Sequence, residues 1–422
     1  MYGEKFLSYL DAVQRPFVKL CRIRFLNPDR STAFALDSNP FKRKNRTFIA
    51  DGTLTANLQN GQRRTCNIVL DNVDSDYDFA YGKLWFGDEI AVDEGLVLPD
   101  GEEFYIQQGV FLLDPSQDDI MPTGRTMSYS LVDKWSNLDG SRLGNLENTY
   151  EVAENVNIFT PISSLLAEDR GNGLPLDSVT PVYTDYYNNM TQTLTKGTTA
   201  SLVNTPYTLT VNGGSTKADV ILGLVGMVNG WVGYDASGTL RVDPSQDDID
   251  DKTKPVLWTF TQTNSNLTGL SYQSNVGEVY NDYIVVGEQL EDYTQPSGRA
   301  QNIDPASDTN INIIGRKTYR DEAAGYGTDK MCADLAVWKV KRTTVLQKSV
   351  TISCTQLFHI QENCIVEIER TDKENNPFER HLVQGFSRPL VGTSPMTINA
   401  ISVLDFPNLQ VSTSSGTNTF TV

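Results

Sequence analysis

The first 140 residues contain segments in which apolar and polar side chains alternate. The turn dipeptide Asn60-Gly61 separates two such segments, which favours a β-hairpin. The inward positions of this hairpin are Leu54, Ala56, Leu58, Cys66, Ile68 and Leu70. Further strands are predicted at 18–25, 32–36, 84–92, 104–113 and 125–135. Residues 15–138 are therefore expected to form one antiparallel domain of about seven or eight strands, a sandwich or a barrel.

Helical spacing appears at both sides of this strand-rich stretch. Phe6, Leu10 and Val13 place one apolar stripe on a short helix at 3–14. In the region 141–265, apolar residues at helical spacing predict a helix at 158–170 with Pro161 in its first turn. A second helix is predicted at 217–229, followed by a hairpin at 230–243. The segment 171–215 is rich in Thr, Asn, Tyr and Gly and is expected to form loops and short hairpins.

Strand patterns return in residues 266–405, with one helix predicted at 329–341. The expected strands lie at 283–286, 345–353, 364–368, 381–386 and 396–403. The last residues, 406–422, are rich in Ser, Thr and Asn and are expected to be a mobile tail or an added strand. The predicted fold class is thus mainly β (β+α). Its domains are 1–140, 141–265 and 266–405, followed by the tail.

Charge and cysteine content exclude several classes of function. The formal net charge of −18 argues against a nonspecific nucleic-acid binder and against an anionic membrane surface, although acidity also simply favours solubility. Five widely spaced cysteines do not form a disulfide pattern, so folding in a reducing cytoplasm is expected. The N-terminus lacks the apolar core of a secretory signal, and the longest apolar run, Val220–Val228, is too short for a membrane anchor.

One heptapeptide occurs twice, as Asp114–Ile120 and Asp243–Ile249. Its Asp-x-Ser-x-Asp start resembles half of a calcium-binding EF-hand loop. The twelfth position, where such a loop needs a carboxylate, is Arg125 in one copy and Lys254 in the other. A turn used twice is therefore the favoured interpretation, because proline after aspartate suits a type I turn.

Residue types that carry catalysis are scarce. Only two histidines, His359 and His381, are present, and no nucleophile or phosphate-binding motif occurs. Cys354, His359 and Cys364 are too widely spaced for a typical zinc site and are interpreted as core residues. The carboxylate pairs Glu102-Glu103, Asp118-Asp119 and Asp250-Asp251, and the basic segment Lys42–Arg46, are interpreted as solvated loop charge. No catalytic, cofactor-binding or metal-binding residue is assigned.

Nine segments of the chain form an ordered set. Six lie in the first strand-rich region: Asp51–Leu54, Gly61–Thr65, Ile68–Asn72, Leu84–Ile90, Phe104–Phe111 and Arg125–Trp135. The middle and closing segments are Gly226–Val242, Tyr280–Gly287 and Arg388–Leu390. Each segment alone is unspecific, but the ordered set resembles the hub proteins at the tail tip, or baseplate, of long-tailed bacteriophages, and its first six segments are similar to their first tube domain. The resemblance covers roughly residues 15–405.

The resemblance implies a structural virion protein that forms a homotrimer. Each subunit would contribute two antiparallel tube-type β-barrels separated by an α+β insert, so that three chains make a pseudo-sixfold ring. The ring would contact the distal tail protein, hold the C-terminus of the tape-measure protein in its lumen and let DNA pass without specific binding. Longer members continue beyond the position of Val422, so a separate tail fibre or tip protein is expected. Assembly in the host cytoplasm is implied, with no membrane anchor and no cofactor.

Two alternatives remain open at this stage. A receptor- or glycan-binding tail protein would present exposed aromatic side chains, and Tyr183, Tyr186 and Tyr187 are the candidates. A cell-wall hydrolase would use a pair of carboxylates from the many that the chain contains.

Overall fold

The computed structural model describes residues 4–39, 48–72, 88–121, 124–183, 191–194, 197–244, 254–261, 266–274, 277, 279–290, 293–323, 325–344, 348–370, 378–403, 407–413 and 416–419. The basic segment Lys42–Arg46 and residues 84–87 of a predicted strand lie outside these ranges.

Strands are the commonest regular structure in the described chain. The N-terminal elements are α1 (Glu4–Ala12), β1 (Lys19–Leu26), β2 (Thr32–Asp37), β3 (Phe48–Asn57), β4 (Arg64–Asp71), β5 (Glu89–Val97), β6 (Glu103–Met121), β7 (Gly124–Asp133) and a 3-10 helix (Lys134–Asn137). The middle elements are β8 (Tyr150–Val152), α2 (Phe159–Leu166), β9 (Val182–Tyr183), β10 (Thr191–Thr193), β11 (Thr199–Ser201), β12 (Leu209–Val211), α3 (Lys217–Met227), β13 (Gly230–Tyr234) and β14 (Leu240–Pro244).

The C-terminal elements alternate between two sheets. They are β15 (Val256–Phe260), β16 (Leu267–Ser274), β17 (Asp282–Val286), β18 (Ser297–Asn302), α4 (Ile311–Ile314), β19 (Thr318–Glu322), α5 (Asp329–Thr344), β20 (Lys348–Cys354), β21 (Ile365–Glu369), β22 (Phe378–Pro389), β23 (Met396–Ser402), β24 (Leu409–Thr413) and β25 (Gly416–Thr419). None of the α-helices in the described ranges has the length and apolarity needed to cross a membrane.

The predicted hairpin around Asn60-Gly61 forms as the alternation indicates. Strands β3 and β4 pair antiparallel with Leu54 opposite Cys66, and the alternate side chains are buried. Gly61 adopts φ +89°, a conformation that disfavours side chains with a Cβ. The turn also contacts the middle region, since Gly61 N–H donates to the Val232 carbonyl at 2.9 Å.

One sheet of thirteen strands contains strands from both the N-terminal and the C-terminal strand-rich regions. Its main path runs β16-β20-β23-β22-β3-β4-β7-β6-β5-β1-β2, and β21 and β15 branch from β22. The long strand β22 makes the junction: Phe378–Leu382 pairs with β21, while Gly385–Pro389 pairs with β3. One hydrophobic core, extending from Tyr9 to Ala400, lies against this sheet.

The expected mainly-β fold is observed, but two closed barrels are not confirmed. Within the described ranges the sheet does not close on itself, because β2 and β16 each have a neighbour on one side only. The physical reason is that β22 is long enough to pair with strands from both halves of the chain. The two strand-rich regions are therefore joined by hydrogen bonds instead of closing separately.

The middle region has its own core. Helix α2 is shorter than the predicted 158–170, because after Leu166 the chain turns back through Asp169, whose carboxylate accepts the N–H groups of Gly171 and Gly173. Helix α3 begins with a capping box between Thr216 and Asp219. Both helices pack on the β13–β14 hairpin, with these residues buried: Ile162, Leu165, Val220, Ile221, Leu224, Val232 and Leu240.

A separate five-stranded sheet interrupts the second strand-rich region. Its order is β19-β17-β18-β24-β25, and α5 covers one face. The C-terminal segment therefore adds strands to this sheet in the described ranges, which was one of the two alternatives for residues 406–422. Helix α5 extends to Thr344, three residues beyond its predicted end at residue 341. The strand predicted at 345–353 is observed as β20.

Helix α5 approaches β18 so closely that a side chain at Gly298 has no room. A Cβ built at Gly298 would lie 2.1 Å from the backbone nitrogen of Ala333. We expect Gly298→Ala to lower the free energy of unfolding by about 1–3 kcal/mol, because the helix must shift. Urea denaturation followed by circular dichroism measures this change. The matched control is Gly226→Ala in α3, which meets no atom within 4 Å and should leave stability unchanged or slightly higher.

Candidate functional site

Buried charges gather where strands from the two ends of the chain meet. Arg388 in β22 has a fully buried side chain, and its Nε donates to Oε2 of Glu94 in β5 at 2.5 Å. Its Nη1 donates to the carbonyl of Leu357 at 2.9 Å, and its Nη2 donates to the side chain of Gln108. An unpaired charge is costly to bury. Arg388 and Glu94 therefore hold the C-terminal strands to the N-terminal ones.

Glu94 lies between two cations. The Lys19 Nζ lies 3.0 Å from its Oε1, and Lys19 also donates to Gln356 and to the carbonyl of Pro389. Burial lowers the pKa of Lys19, and the neighbouring Glu94 carboxylate opposes that shift. The arrangement fixes the start of β1 against the end of β22.

A second buried ion pair fixes the segment before β21. Arg64 in β4 pairs with Glu362, and both side chains are buried. Arg64 also donates to the Gln108 carbonyl at 2.6 Å, and the Gln108 amide donates to the Phe358 carbonyl at 3.0 Å. We call Lys19, Arg64, Glu94, Gln108, Glu362 and Arg388 the charged seam.

Two further buried carboxylates lie near the end of β7, and one of them, Asp177, belongs to the middle region. Asp133 accepts hydrogen bonds from the backbone N–H of Arg63, Arg64 and Trp135, and burial raises its pKa to about 6 although these bonds oppose the shift. Next to it, Lys134 Nζ lies 2.7 Å from both oxygens of Asp177. Burial lowers the pKa of Lys134, so this pair is also enclosed.

The residues of the charged seam were not predicted from the sequence, although the alternation of apolar residues marks two of them. Glu94 falls between Val92 and Leu96, and Arg388 falls between Phe386 and Leu390, in both cases at an inward position of an alternating strand. A charge at such a position needs a buried partner. The sequence does not show which residue that partner is.

The histidines serve in packing. His359 Nδ1 lies 2.9 Å from the hydroxyl of Tyr9, and burial lowers its pKa to about 4. His381 in β22 is buried, and burial lowers its pKa as well. Cys354 and Cys364 are buried too, and burial raises each thiol pKa to about 12, which disfavours the thiolate that zinc needs. The core interpretation of these cysteines fits their burial.

Of the acidic pairs named from the sequence, only the side chains of Glu102-Glu103 fall within the described residues. Glu102 is exposed and pairs with Lys5, whereas the neighbouring Glu103 accepts a hydrogen bond from Asn39. The side chains of Asp118 and Asp119, and the whole of Asp250-Asp251, lie outside the described residues. Tyr183 stacks on Phe159 with ring centroids 3.8 Å apart, while Tyr186 and Tyr187 lie outside the described ranges.

The turn interpretation of the repeated heptapeptide is wrong for its first copy. Residues 114–120 lie within β6 and pair with β7, with an irregularity between Leu113 and Ser116. Pro115 lacks an N–H for the ladder, and a bulge is where a strand tolerates that loss. The extended strand also excludes an EF-hand loop there. In the second copy β14 ends at Pro244, and residues 245–249 are outside the described ranges.

No protein-family model matches this chain, and no curated protein matches it by sequence.

Comparisons of structure reveal several phage tail proteins. A tail protein from Neisseria meningitidis aligns with a TM-score of 0.60 and 10% identity, over 92% of this chain and 97% of its own. The 43 kDa tail protein of prophage MuSo2 from Shewanella oneidensis aligns with a TM-score of 0.58 and 10% identity, over 91% and 98% of the two chains. Prophage tail protein gp18 from Listeria monocytogenes gives 0.54 and 8%, over 91% and 94%. The fold of phage tail proteins, which the resemblance implied, is confirmed.

The charged seam makes a prediction about stability. We expect Glu94→Gln to lower the free energy of unfolding by about 3–5 kcal/mol, because it leaves two buried cations without their shared anion. The control is Asp334→Asn, which breaks the exposed Lys330–Asp334 pair and should cost less than about 1 kcal/mol. Denaturant titration of both variants measures the difference. Equal losses would show that the seam is not what stabilises the sheet.

The raised pKa of Asp133 predicts a pH dependence. The Asp133 carboxyl has a pKa of about 6 in the folded protein, above its ordinary value of 3.8. It therefore binds more protons in the folded state than in the unfolded state, and the free energy of unfolding falls as the pH rises between these two values. Relative to Asp133→Asn, the wild type should lose up to about 3 kcal/mol between pH 4 and 7. Urea titrations of both proteins across this pH range test the effect. A constant difference between them would contradict it.

Proposed function

We propose that this chain is a structural subunit of a phage tail tip, the trimeric hub that closes the tail tube. The observation that carries the proposal is the shared fold, which extends over more than nine tenths of this chain and of each of three tail proteins. A match over whole chains supports a common architecture better than a match of one domain would. The role itself is a proposal, because fold alone does not determine function.

The burial of charged and titratable groups supports a structural role. Arg64, Glu94, Gln108 and Arg388 of the charged seam are buried, as is His381, and His359 is half-buried beside Tyr9. In these positions the groups join parts of the chain to one another. The proposal therefore assigns no catalysis to the chain, in contrast to the cell-wall hydrolase alternative.

Open sheet edges favour assembly into a ring. Strands β2 and β16 end the main sheet, and most of their side chains are exposed or half-buried. Unpaired strand edges invite association, and natural proteins cover them. In a trimer, neighbouring copies would cover these edges. The strands β1–β7 and the strands β15, β16 and β20–β23 would then serve as two tube-like halves, which gives the pseudo-sixfold ring.

The net charge supports a lumen through which DNA passes. At −18 the chain would repel the phosphate backbone and not retain it. In the proposed assembly the ring contacts the distal tail protein, receives the C-terminus of the tape-measure protein and connects to a separate tail fibre or tip protein. The protein would assemble in the host cytoplasm and remain in the virion.

The decisive test is the mass of the purified protein in solution. Light scattering over a concentration series should give a trimer, close to three times 46.9 kDa, and negative-stain images should show a ring with a central hole. A protein that stays monomeric at every concentration, or a compact dimer without a hole, contradicts the hub. A compact dimer would favour the receptor- or glycan-binding alternative, which a glycan-binding screen then tests.

A further inference from the structure

A cavity lies beside the connection from α1 to β1. Its volume is about 330 Å³, and the segments after β20 and β22 complete its lining. Val13 and Gln356 are buried and form its inner part, whereas Pro16 and Thr393 are exposed at its rim. A cavity of about 150 Å³ is enough to hold benzene, so this one has room for a ring with a polar substituent.

The described residues that line this cavity include two cations but neither Asp nor Glu. The cations are Arg15 and Lys19, and apolar lining comes from Val13, Pro16 and Phe17. The Arg15 Nη2 atom lies 2.9 Å from a carboxylate oxygen of Asp11, so this exposed charge is already paired. Lys19 differs from it, because its side chain is only 5% exposed and belongs to the charged seam.

The charged seam has one positive charge in excess. Its cations are Lys19, Arg64 and Arg388, and its carboxylates are Glu94 and Glu362. Since Arg64 pairs with Glu362, Lys19 and Arg388 share the single charge of Glu94. A buried charge without compensation is costly. An anion bound in the cavity beside Lys19 would supply the missing negative charge.

A buried hydroxyl gives independent evidence for a polar ligand. Thr355 follows β20 and lines the cavity. Its Oγ1 atom is buried and has no hydrogen-bond partner among the described residues. A buried hydroxyl that makes no hydrogen bond costs free energy. A carboxylate oxygen is a strong acceptor for such a donor.

We propose that this cavity binds a small organic carboxylate with an apolar body. The carboxylate accepts a hydrogen bond from the Thr355 hydroxyl, and the apolar body packs on Val13 and Phe17. The Lys19 Nζ already donates to Gln356 and to the carbonyl of Pro389, so it attracts the anion through its charge. The site does not depend on the trimeric hub proposed above.

Benzoate is the probe for this site. Saturation-transfer NMR on the purified protein, in a buffer without carboxylate or phosphate, measures its binding. Benzamide has the same shape without the charge, and benzoate should bind at least about tenfold more tightly than it does. Inorganic phosphate is an anion without an apolar body, so it should not displace benzoate.

Thr355→Val locates the binding. This substitution keeps the shape of the side chain and removes the hydroxyl, so benzoate affinity should fall about tenfold. The melting temperature should not fall, because that hydroxyl has no partner among the described residues. Thr351→Val is the matched control on β20: Thr351 is exposed and donates to Asn399, and benzoate affinity should be unchanged.

Lys19→Met tests the excess charge. It leaves Arg388 and Glu94 as a balanced pair, so the preference for benzoate over benzamide should disappear. Because Lys19 also stabilises the seam, this variant is compared only if its circular dichroism spectrum is that of the wild type. Thr355→Val decides the proposal in either case.

Four results would overturn the carboxylate site. Equal affinities for benzoate and benzamide would show an apolar cavity without a preference for charge. Phosphate that displaces benzoate would show a site for any anion. The absence of benzoate binding, or equal benzoate affinity in Thr355→Val and the wild type, would remove the site itself. The hub proposal is unaffected by these outcomes, since it is tested by the mass in solution.

Discussion

The buried pair of Arg388 and Glu94 is the constraint on which the sheet depends. These residues are 294 positions apart in the chain, and both are inaccessible to solvent. Neither charge is tolerable in the core without the other, so the C-terminal strand β22 must lie where β5 and β6 can supply Glu94 and Gln108. The N- and C-terminal halves therefore fold as parts of one sheet. Lys19 and Arg64 add further links across the same junction through Gln356, the carbonyl of Pro389 and Glu362.

The other parts of the molecule follow from this junction. The middle region is inserted between the two strand-rich halves that β22 connects. Its hydrophobic core is separate from that of the main sheet. The Lys134–Asp177 pair attaches it at the point where β7 ends. The small sheet with α5 is a second insertion, closed by the strands β24 and β25 from the end of the chain.

In this fold the ion pairs of the charged seam lie in the interior. The buried ion pairs Arg64–Glu362 and Arg388–Glu94 join segments from the two halves of the chain. In the described residues, the edge strands β2 and β16 of the main sheet have a neighbour on one side only. The fold is the one that the chain shares with phage tail proteins.

The sequence by itself determined the local elements. Alternation predicted the β3–β4 hairpin, and helical spacing predicted α3, because side-chain periodicity depends only on near neighbours. The sequence also places Glu94 and Arg388 of the charged seam at inward positions of their strands, but it does not show that they pair. Only the tertiary structure decided that these two meet, that β22 joins two predicted barrels into one sheet, and that residues 114–120 continue a strand. The reason is that strand partners and buried charge pairs are contacts between residues far apart in the chain, and no local pattern specifies them.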